Sequence, residues 1–385
     1  MTIINGKIYT CHNNEIIEKG YIKIQDGKIQ EIGNMNNYKV QGSEFDVGGM
    51  LVFPGFIDAH CHIGMWEDGM DFEGDDGNED TDPCTAHLRG IDGINPFDRC
   101  FEEALEGGVT TVATGPGSAN PIGGTFTLLK TGAHKSVDDM IYKNDISMKM
   151  ALGENPKRTY NGKDQSPKTR MATMAIIREN LKKAIEYKEK LDKYYNDEED
   201  ERPDFDAKCE ALVPVLENKM PLHIHAHRAD DIYTALRIKN EFKLDVKIVH
   251  CTEGYMISDI LKNAQVDVFA GPNLGDRSKV ELRNACYKNP AVLNKKGINV
   301  SIITDHPETP IQYLPVCAGL AVRGGMSYYD ALKAITINPA KALYIDDRLG
   351  SLEIGKDADI VIFKDDPMDI RNIAEHVFIK GEKVK

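Results

Sequence analysis

The hydrophobic pattern changes style twice along the chain. Over residues 1–50 apolar positions alternate in short runs (IINGKIYT, EIIEKGYIKIQ, KIQEIG), the last two separated by Asp26-Gly27. Asp-Gly between alternating runs predicts a β-hairpin, because its tight turn needs residues that accept positive φ. Residues 351–385 repeat the style with ADIVIF (358–363), a polar turn at Asp365-Asp366-Pro367, and HVFIKGEKVK. Neither end alone covers its apolar face, since an isolated hairpin is marginal in water. The pattern therefore predicts one small antiparallel β-sandwich built from residues 1–53 and 349–385, with the middle of the chain inserted into it.

Between the ends, over 54–348, strand-like and helix-like segments alternate. The strand candidates are GFIDAH (55–60), VTTVAT (109–114), TFTLLK (125–130), ISMKMALG (146–153), PLHIHA (221–226), VKIVH (246–250), VDVFA (266–270) and INVSIIT (298–304). Their short apolar character suits parallel strands buried on both faces. One helix is expected to start at Asn95-Pro96, bury Phe97, Phe101, Ala104 and Leu105, and stop at Gly107-Gly108. Eight such units predict an α/β protein with a (β/α)8 barrel of the TIM type. Residues 168–220 read as a helical insertion, with a long charged helix (IIRENLKKAIEYKEKLDKYY) and an acidic turn (NDEEDERPD) expected to face solvent.

Composition narrows the partners. Sixty-one Asp and Glu against 47 Lys and Arg give a formal net charge of −14. That balance excludes general phosphate attraction to nucleic acid and disfavours anionic membranes. No run approaches the roughly 18 apolar residues of a membrane span, and MTIINGKIYT lacks the basic and then apolar regions of an export signal. The eight cysteines have no paired spacing and read as free thiols, so a cytoplasmic protein acting on a small molecule is expected. Nine carboxylates crowd residues 67–82, directly after the first barrel strand. A flexible solvated loop is the expectation there, with a lid or accessory cation site as the alternative.

Histidine carries the chemical signal. Eleven histidines placed at random would produce roughly 0.3 His-x-His pairs; the sequence has three, His60/His62, His223/His225 and His225/His227. Residues i and i+2 of a strand face one side, and barrel active sites form at the C-terminal strand ends. Paired imidazoles there suit a zinc-type hydrolytic centre that keeps a position open for water. A single histidine is more often a satisfied structural residue; pairs at successive strand ends are poorly explained that way.

The run PGFIDAHCH (54–62) resembles the strand-one signature of the amidohydrolase superfamily of metal-dependent hydrolases. TINPAKAL (336–343) is similar to its last barrel helix, and GSLEIGKDADIV (350–361) to its return into the small β-sandwich. The resemblance covers essentially the whole chain and is closest to imidazolonepropionase-like and dihydroorotase-like members. It implies one or two divalent metal ions per chain, zinc first, with iron or manganese as alternatives. His60 and His62 match the strand-one ligands, His250 the strand-six ligand and Asp305 the strand-eight residue. His225 matches the strand-five ligand, with His227 next and His223 on the same face. Strand four, ISMKMALGEN, departs from the commonest pattern, in which a carboxylated lysine bridges two ions. Lys149 lies five residues before Glu154, about 16 Å at strand rise. Glu154 is therefore the expected ligand and a Lys149 carbamate the alternative.

The implied reaction is hydrolysis of the C–N bond of a cyclic or linear amide by an activated water, with Asp305 as general base. Deaminases of the superfamily carry His-x-x-Glu after strand five; here His225 is followed by Ala226, His227 and Arg228. Deamination of a nitrogen heterocycle is thus the alternative, as is a non-catalytic scaffold. Arg228 and Asn273, just past strands five and seven, are candidate substrate contacts; Arg228 can grip a carboxylate or pair with Asp230 or Asp231. Arg158, Tyr160 and Arg170 flank Glu154 as further candidates. GPGSANPIGG lacks the Lys-Ser/Thr of a phosphate loop and reads as a tight barrel loop. Homo-oligomers are common among such barrels.

Overall fold

A computed structural model of the chain describes residues 1–67, 69–132, 136–198 and 201–385. Five strands come first: β1 (Thr2–Tyr9), β2 (Ile16–Gln25), β3 (Lys28–Asn34), β4 (Phe45–Asp46) and β5 (Leu51–Pro54). Eight more follow: β6 (Phe56–Cys61), β7 (Val109–Thr114), β8 (Ile122–Lys130), β9 (Ile141–Ala151), β10 (Leu222–Ala226), β11 (Val246–His250), β12 (Asp267–Ala270) and β13 (Val300–Ile302). The last three are β14 (Ile360–Phe363), β15 (Ala374–Ile379) and β16 (Glu382–Lys383).

Both ends of the chain share one sheet, ordered β16-β15-β14-β5-β1-β2-β3, with β4 also beside β1. β14 pairs with β5 antiparallel, while β1 pairs with β4 and β5 in parallel, so the sheet is mixed rather than wholly antiparallel. Asp26 and Gly27 take positive φ at the β2–β3 turn, as the hairpin requires. The alternating apolar positions Ile3, Ile8, Ile22, Ile29, Val52, Ile360 and Ile362 form its core.

Strands β6 to β13 neighbour one another in chain order and make a nearly closed barrel with helices outside. Seven run parallel. β8 runs antiparallel to β7 and to β9, against the expectation of a uniformly parallel barrel. The link 115–121 is shorter than the dozen or so residues a crossover needs to bring the next strand back parallel, so the chain turns straight back. The helices Arg170–Tyr195 and Ala207–Leu216 bury Ile177, Leu181, Leu212 and Val215 against the outward faces of β9, β10 and β11. The helix expected from Asn95 begins only at Cys100. Asn95 and Asp98 instead accept backbone hydrogen bonds from Phe97 and Cys100 in a turn, and Phe97 is 74% exposed. The acidic runs at 67–82 and 196–204 include Asp68, Glu199 and Asp200, which lie outside the described residues. All eight cysteines are free. Among the described residues no helix is long and apolar enough to cross a membrane.

The barrel seam is closed by a buried side chain together with two backbone bonds at the strand ends. No ladder joins β6 to β13 among the described residues. Instead, the buried Asp58 accepts from the Thr304 backbone N–H (3.1 Å) and hydroxyl (2.5 Å) with Oδ2, and from the His60 N–H (3.1 Å) with Oδ1. Beside it, the His62 N–H donates to the His306 carbonyl (2.9 Å) and the Asp305 N–H to the His60 carbonyl (3.3 Å). Buried Lys130 ties the barrel to the terminal sheet, donating to Thr111 Oγ1 (2.8 Å) and Asp359 Oδ2 (2.5 Å).

Removing the Asp58 carboxylate strands two Thr304 donors in the interior. Asp58→Ala is expected to cost about 2–4 kcal/mol, read as a lower urea midpoint at unchanged m-value. Wild-type stability in that variant would mean that the seam does not depend on this residue.

Candidate metal centre

The seam sets Asp305 against the strand-one histidines. Its Oδ1 lies 3.2 Å from His62 Nε2 and 3.8 Å from His60 Nε2, and its Oδ2 lies 3.9 Å from His250 Nε2. On the neighbouring strands His225, His227 and His250 form a second group, with ring centroids 4.3, 4.5 and 4.6 Å apart. Within each group the ligand-capable atoms lie within 4.8 Å of one another. His250 (φ 69°) and Asp305 (φ 52°) both adopt left-handed backbone, a region that costs non-glycine residues energy and is tolerated best by Asn, Asp and His. The chain turns there to aim a side chain inward.

The hydrogen bonds decide which ring nitrogens are free. His62 Nδ1 lies 2.7 Å from the Gly115 carbonyl and His250 Nδ1 2.7 Å from the Gly271 carbonyl. Those nitrogens donate, which turns each Nε2 toward its group. Burial holds His60, His225, His227 and His250 well below the ordinary imidazole value, so they are neutral at pH 7. Burial works to raise the Asp305 carboxyl, but His250, His62 and Lys149 overcome it and hold it at about 2. Asp305 Oδ1 and Glu281 Oε1 are buried without a hydrogen-bond partner. Neutral imidazole nitrogens converging with unpartnered carboxylate oxygens are the donor set of a divalent cation with N and O ligands, so the residues fit such an ion.

Several expected residues fall elsewhere. β9 ends at Ala151 and the chain turns at Gly153 (φ 82°), which carries Glu154 onto the first turn of the helix Glu154–Gly162. Its backbone N–H donates to Glu281 Oε2 (3.0 Å). Met148 and Met150 pack outward under the helices, so strand alternation turns Lys149 inward, and its Nζ lies 2.7 Å from His60 Nε2. Lys149 is thus the strand-four residue that meets the histidines, in place of Glu154. The 16 Å separation assumed too long a strand and neglected the reach of the lysine stem. Burial brings the Lys149 ammonium down to about 7. His223 sits one layer below the centre, paired with Ser147 (3.1 Å). His227 joins His225 rather than standing as an alternative to it. Arg228 forks onto Asp230 (2.9 and 2.8 Å), Arg170 onto Asp231, and Asn273 donates to the Cys317 carbonyl (3.3 Å). None of the three lines the central cavity. Tyr160 is buried on Asn120. His306 accepts from the Ile311 N–H and belongs to a separate cluster with Asp98 and Cys100.

A cavity of about 390 Å³ opens over the centre, with His62, His225 and Asp305 in its wall. Trp66 and Asn78 reach it from the acidic segment after β6, and Ser118 from the glycine-rich loop. Asn155, Arg158 and Thr159 present one helix face to it, and Lys279 enters from the loop after β12. The spacing of 155, 158 and 159 was a readable signal once a helix was placed there. Glu281 and Lys279 had none, lying in a polar loop without periodicity.

The amidohydrolase family model matches residues 51–384, and the chain belongs to that family. A crystal structure of an amidohydrolase from Thermotoga maritima MSB8 is 40% identical and superposes with a TM-score of 0.95, covering 100% of this chain and 99% of that one. The amidohydrolase tasK of Hapsidospora irregularis is 28% identical over 94% of this chain; the chain spans 39% of that protein's length. An imidazolonepropionase of Maricaulis maris is 23% identical over 90% of this chain and 88% of its own. The chain is thus an amidohydrolase-family protein, of a family that generally uses divalent metals.

The neutral buried imidazoles also set a pH dependence. Unfolded, they take up protons near pH 6.5; folded, they do so only well below it. The unfolded state therefore binds more protons as pH falls, and stability drops by up to about 1.4 kcal/mol per pH unit for each such histidine. Metal-free protein is expected to unfold at lower urea at pH 5 than at pH 7. An equal or higher midpoint at pH 5 would show these imidazoles to be charged in the fold.

Proposed function

We propose that the chain hydrolyses the C–N bond of an amide, cyclic or linear, in a small molecule. The observation that supports this reading is the Asp305 carboxylate, ionised, unpartnered at Oδ1, set between His62, His60 and His250, and facing the cavity. Divalent ions held by His60, His62 and Asp305, and by His225 and His250, would acidify a water and polarise the scissile carbonyl; zinc is the first expectation. Asp305 takes the proton of the attacking water and passes it to the leaving nitrogen. Lys149, part neutral near pH 7, supplies the strand-four donor; its free amine can take up CO2 as a carbamate. Trp66 forms an apolar wall. Arg158 and Lys279 have no ion pair among the described residues, and suit a substrate that carries a carboxylate near the cleaved bond.

Asp305→Asn keeps the size and one oxygen donor but removes the basicity. It is expected to retain the fold and most bound metal while losing at least about 10²-fold in kcat, on a substrate found by screening metal-loaded enzyme against N-acyl amino acids, dipeptides and cyclic imides. Turnover near wild type would remove Asp305 from the role of base. Lys149→Ala is expected to lose both metal and activity, as His60→Ala does, whereas Glu154→Gln keeps both within about threefold. The reverse pattern, measured by metal content and initial rate, would return the strand-four role to Glu154.

A further inference from the structure

Glu281 has no place in the chemistry derived so far, yet its position is costly. It is 2% exposed, and its Oε1 has no hydrogen-bond partner. A buried carboxylate oxygen left bare is strongly unfavourable unless a cation compensates it. That oxygen lies 3.7 Å from His225 Nε2 and 3.7 Å from His227 Nε2. Two donors on one tetrahedral ion, each at about 2.0–2.1 Å, stand about 3.3 Å apart, so the three atoms already approach the spacing of neighbouring ligands. His250 on the next strand stands with these two histidines, its ring stacked 4.3 Å from that of His227 and its ligand-capable nitrogen within 4.8 Å of theirs.

The surroundings are built to hold the carboxylate there. Its other oxygen accepts from the Glu154 N–H (3.0 Å). A Cβ on Gly153 would stand 2.8 Å from Glu281 Oε2 and 3.1 Å from Asp231 Oδ2, so the missing side chain at this positive-φ residue leaves the room that Glu281 fills. His227 is fixed by Thr252 (2.7 Å at Nδ1), which leaves Nε2 toward the group.

From these contacts we infer that Glu281 and His227 are ligands of a second metal ion, completing with His225 and His250 a cage of four protein donors. This rests on the metal-dependent reading above and adds a division of labour to it. Of the four, only His225 lines the cavity, whereas His62 and Asp305 of the other group both do. An ion in the Glu281 cage is enclosed by protein on four sides, the donor count of a closed structural site; the activated water then belongs to the His60, His62 and Asp305 side.

The test counts metal. Full-length protein is stripped with chelator, reloaded with zinc or cobalt(II), dialysed and analysed for bound metal, for the cobalt visible spectrum and for thermal stability without metal. Wild type is expected to hold two equivalents, with the intense absorption of tetrahedral cobalt. Glu281→Gln, which preserves volume and the contact to Glu154, is expected to melt like wild type when metal-free, to bind the second equivalent at least tenfold more weakly, and to lose the share of the tetrahedral band that this equivalent contributes. Two equivalents bound as tightly as in wild type would overturn the inference. So would a wild type with one equivalent, or with no tetrahedral band, a result that needs no variant to fold and leaves the hydrolase reading standing. A wild type that binds no metal would overturn both.

Discussion

The site depends on how the barrel closes. Seven neighbouring strand pairs are joined by ladders, but the eighth contact, β6 against β13, rests on Asp58 reaching across to Thr304 and on two backbone bonds where the strands end, from His62 to His306 and from Asp305 to His60. β13 has three residues, all paired with β12, before the chain turns at Asp305 (φ 52°). The carboxylate adds two hydrogen bonds from Thr304 to the two backbone bonds at the strand ends, in a dry interior where such bonds hold geometry firmly. Asp58 and His60 share one face of β6, so the residue that locks the seam also fixes the height of the first histidine. Asp305 then arrives beside His60 and His62 as a consequence of closure.

Electrostatics follow from that enclosure. The chain buries two carboxylates, Asp305 and Glu281, among imidazoles that burial keeps neutral. Without a further positive charge this would be an expensive interior, and the nearby lysine, Lys149, is itself pushed toward its neutral form. Neutral nitrogens and bare carboxylate oxygens together make a place where a divalent cation gains more than a proton does. Positive charge returns at the cavity mouth, where Arg158 and Lys279 face the opening in a chain whose net charge is −14.

Much of this was legible in the residues because the chemistry sits at strand ends. His60/His62 and the run His223, His225, His227 could be placed from strand period alone, and the shared sheet of both termini from hairpins too small to stand by themselves. The apolar run suggests a strand that reaches Gly153, but the strand stops at Ala151, and two residues there exchange a buried lysine beside His60 for the first residue of a helix. The reversal of β8 was written in the short link 115–121 but not in its apolar composition, which looks the same in either direction. Glu281 and Lys279 come from a polar loop whose path no local pattern encodes, and they become visible only when distant segments are brought together. Phe97 shows the converse: an apolar residue at helical spacing that a turn leaves in solvent.

The most direct measurement is anomalous diffraction at the metal absorption edge from crystals of the metal-loaded protein. A full-occupancy peak bonded at about 2.0–2.2 Å to His60 Nε2, His62 Nε2 and Asp305 is expected. No peak at that position in crystals of protein that carries stoichiometric metal, or a peak only beside Asp98, Cys100 and His306, would contradict a metal-dependent hydrolytic centre at the barrel mouth.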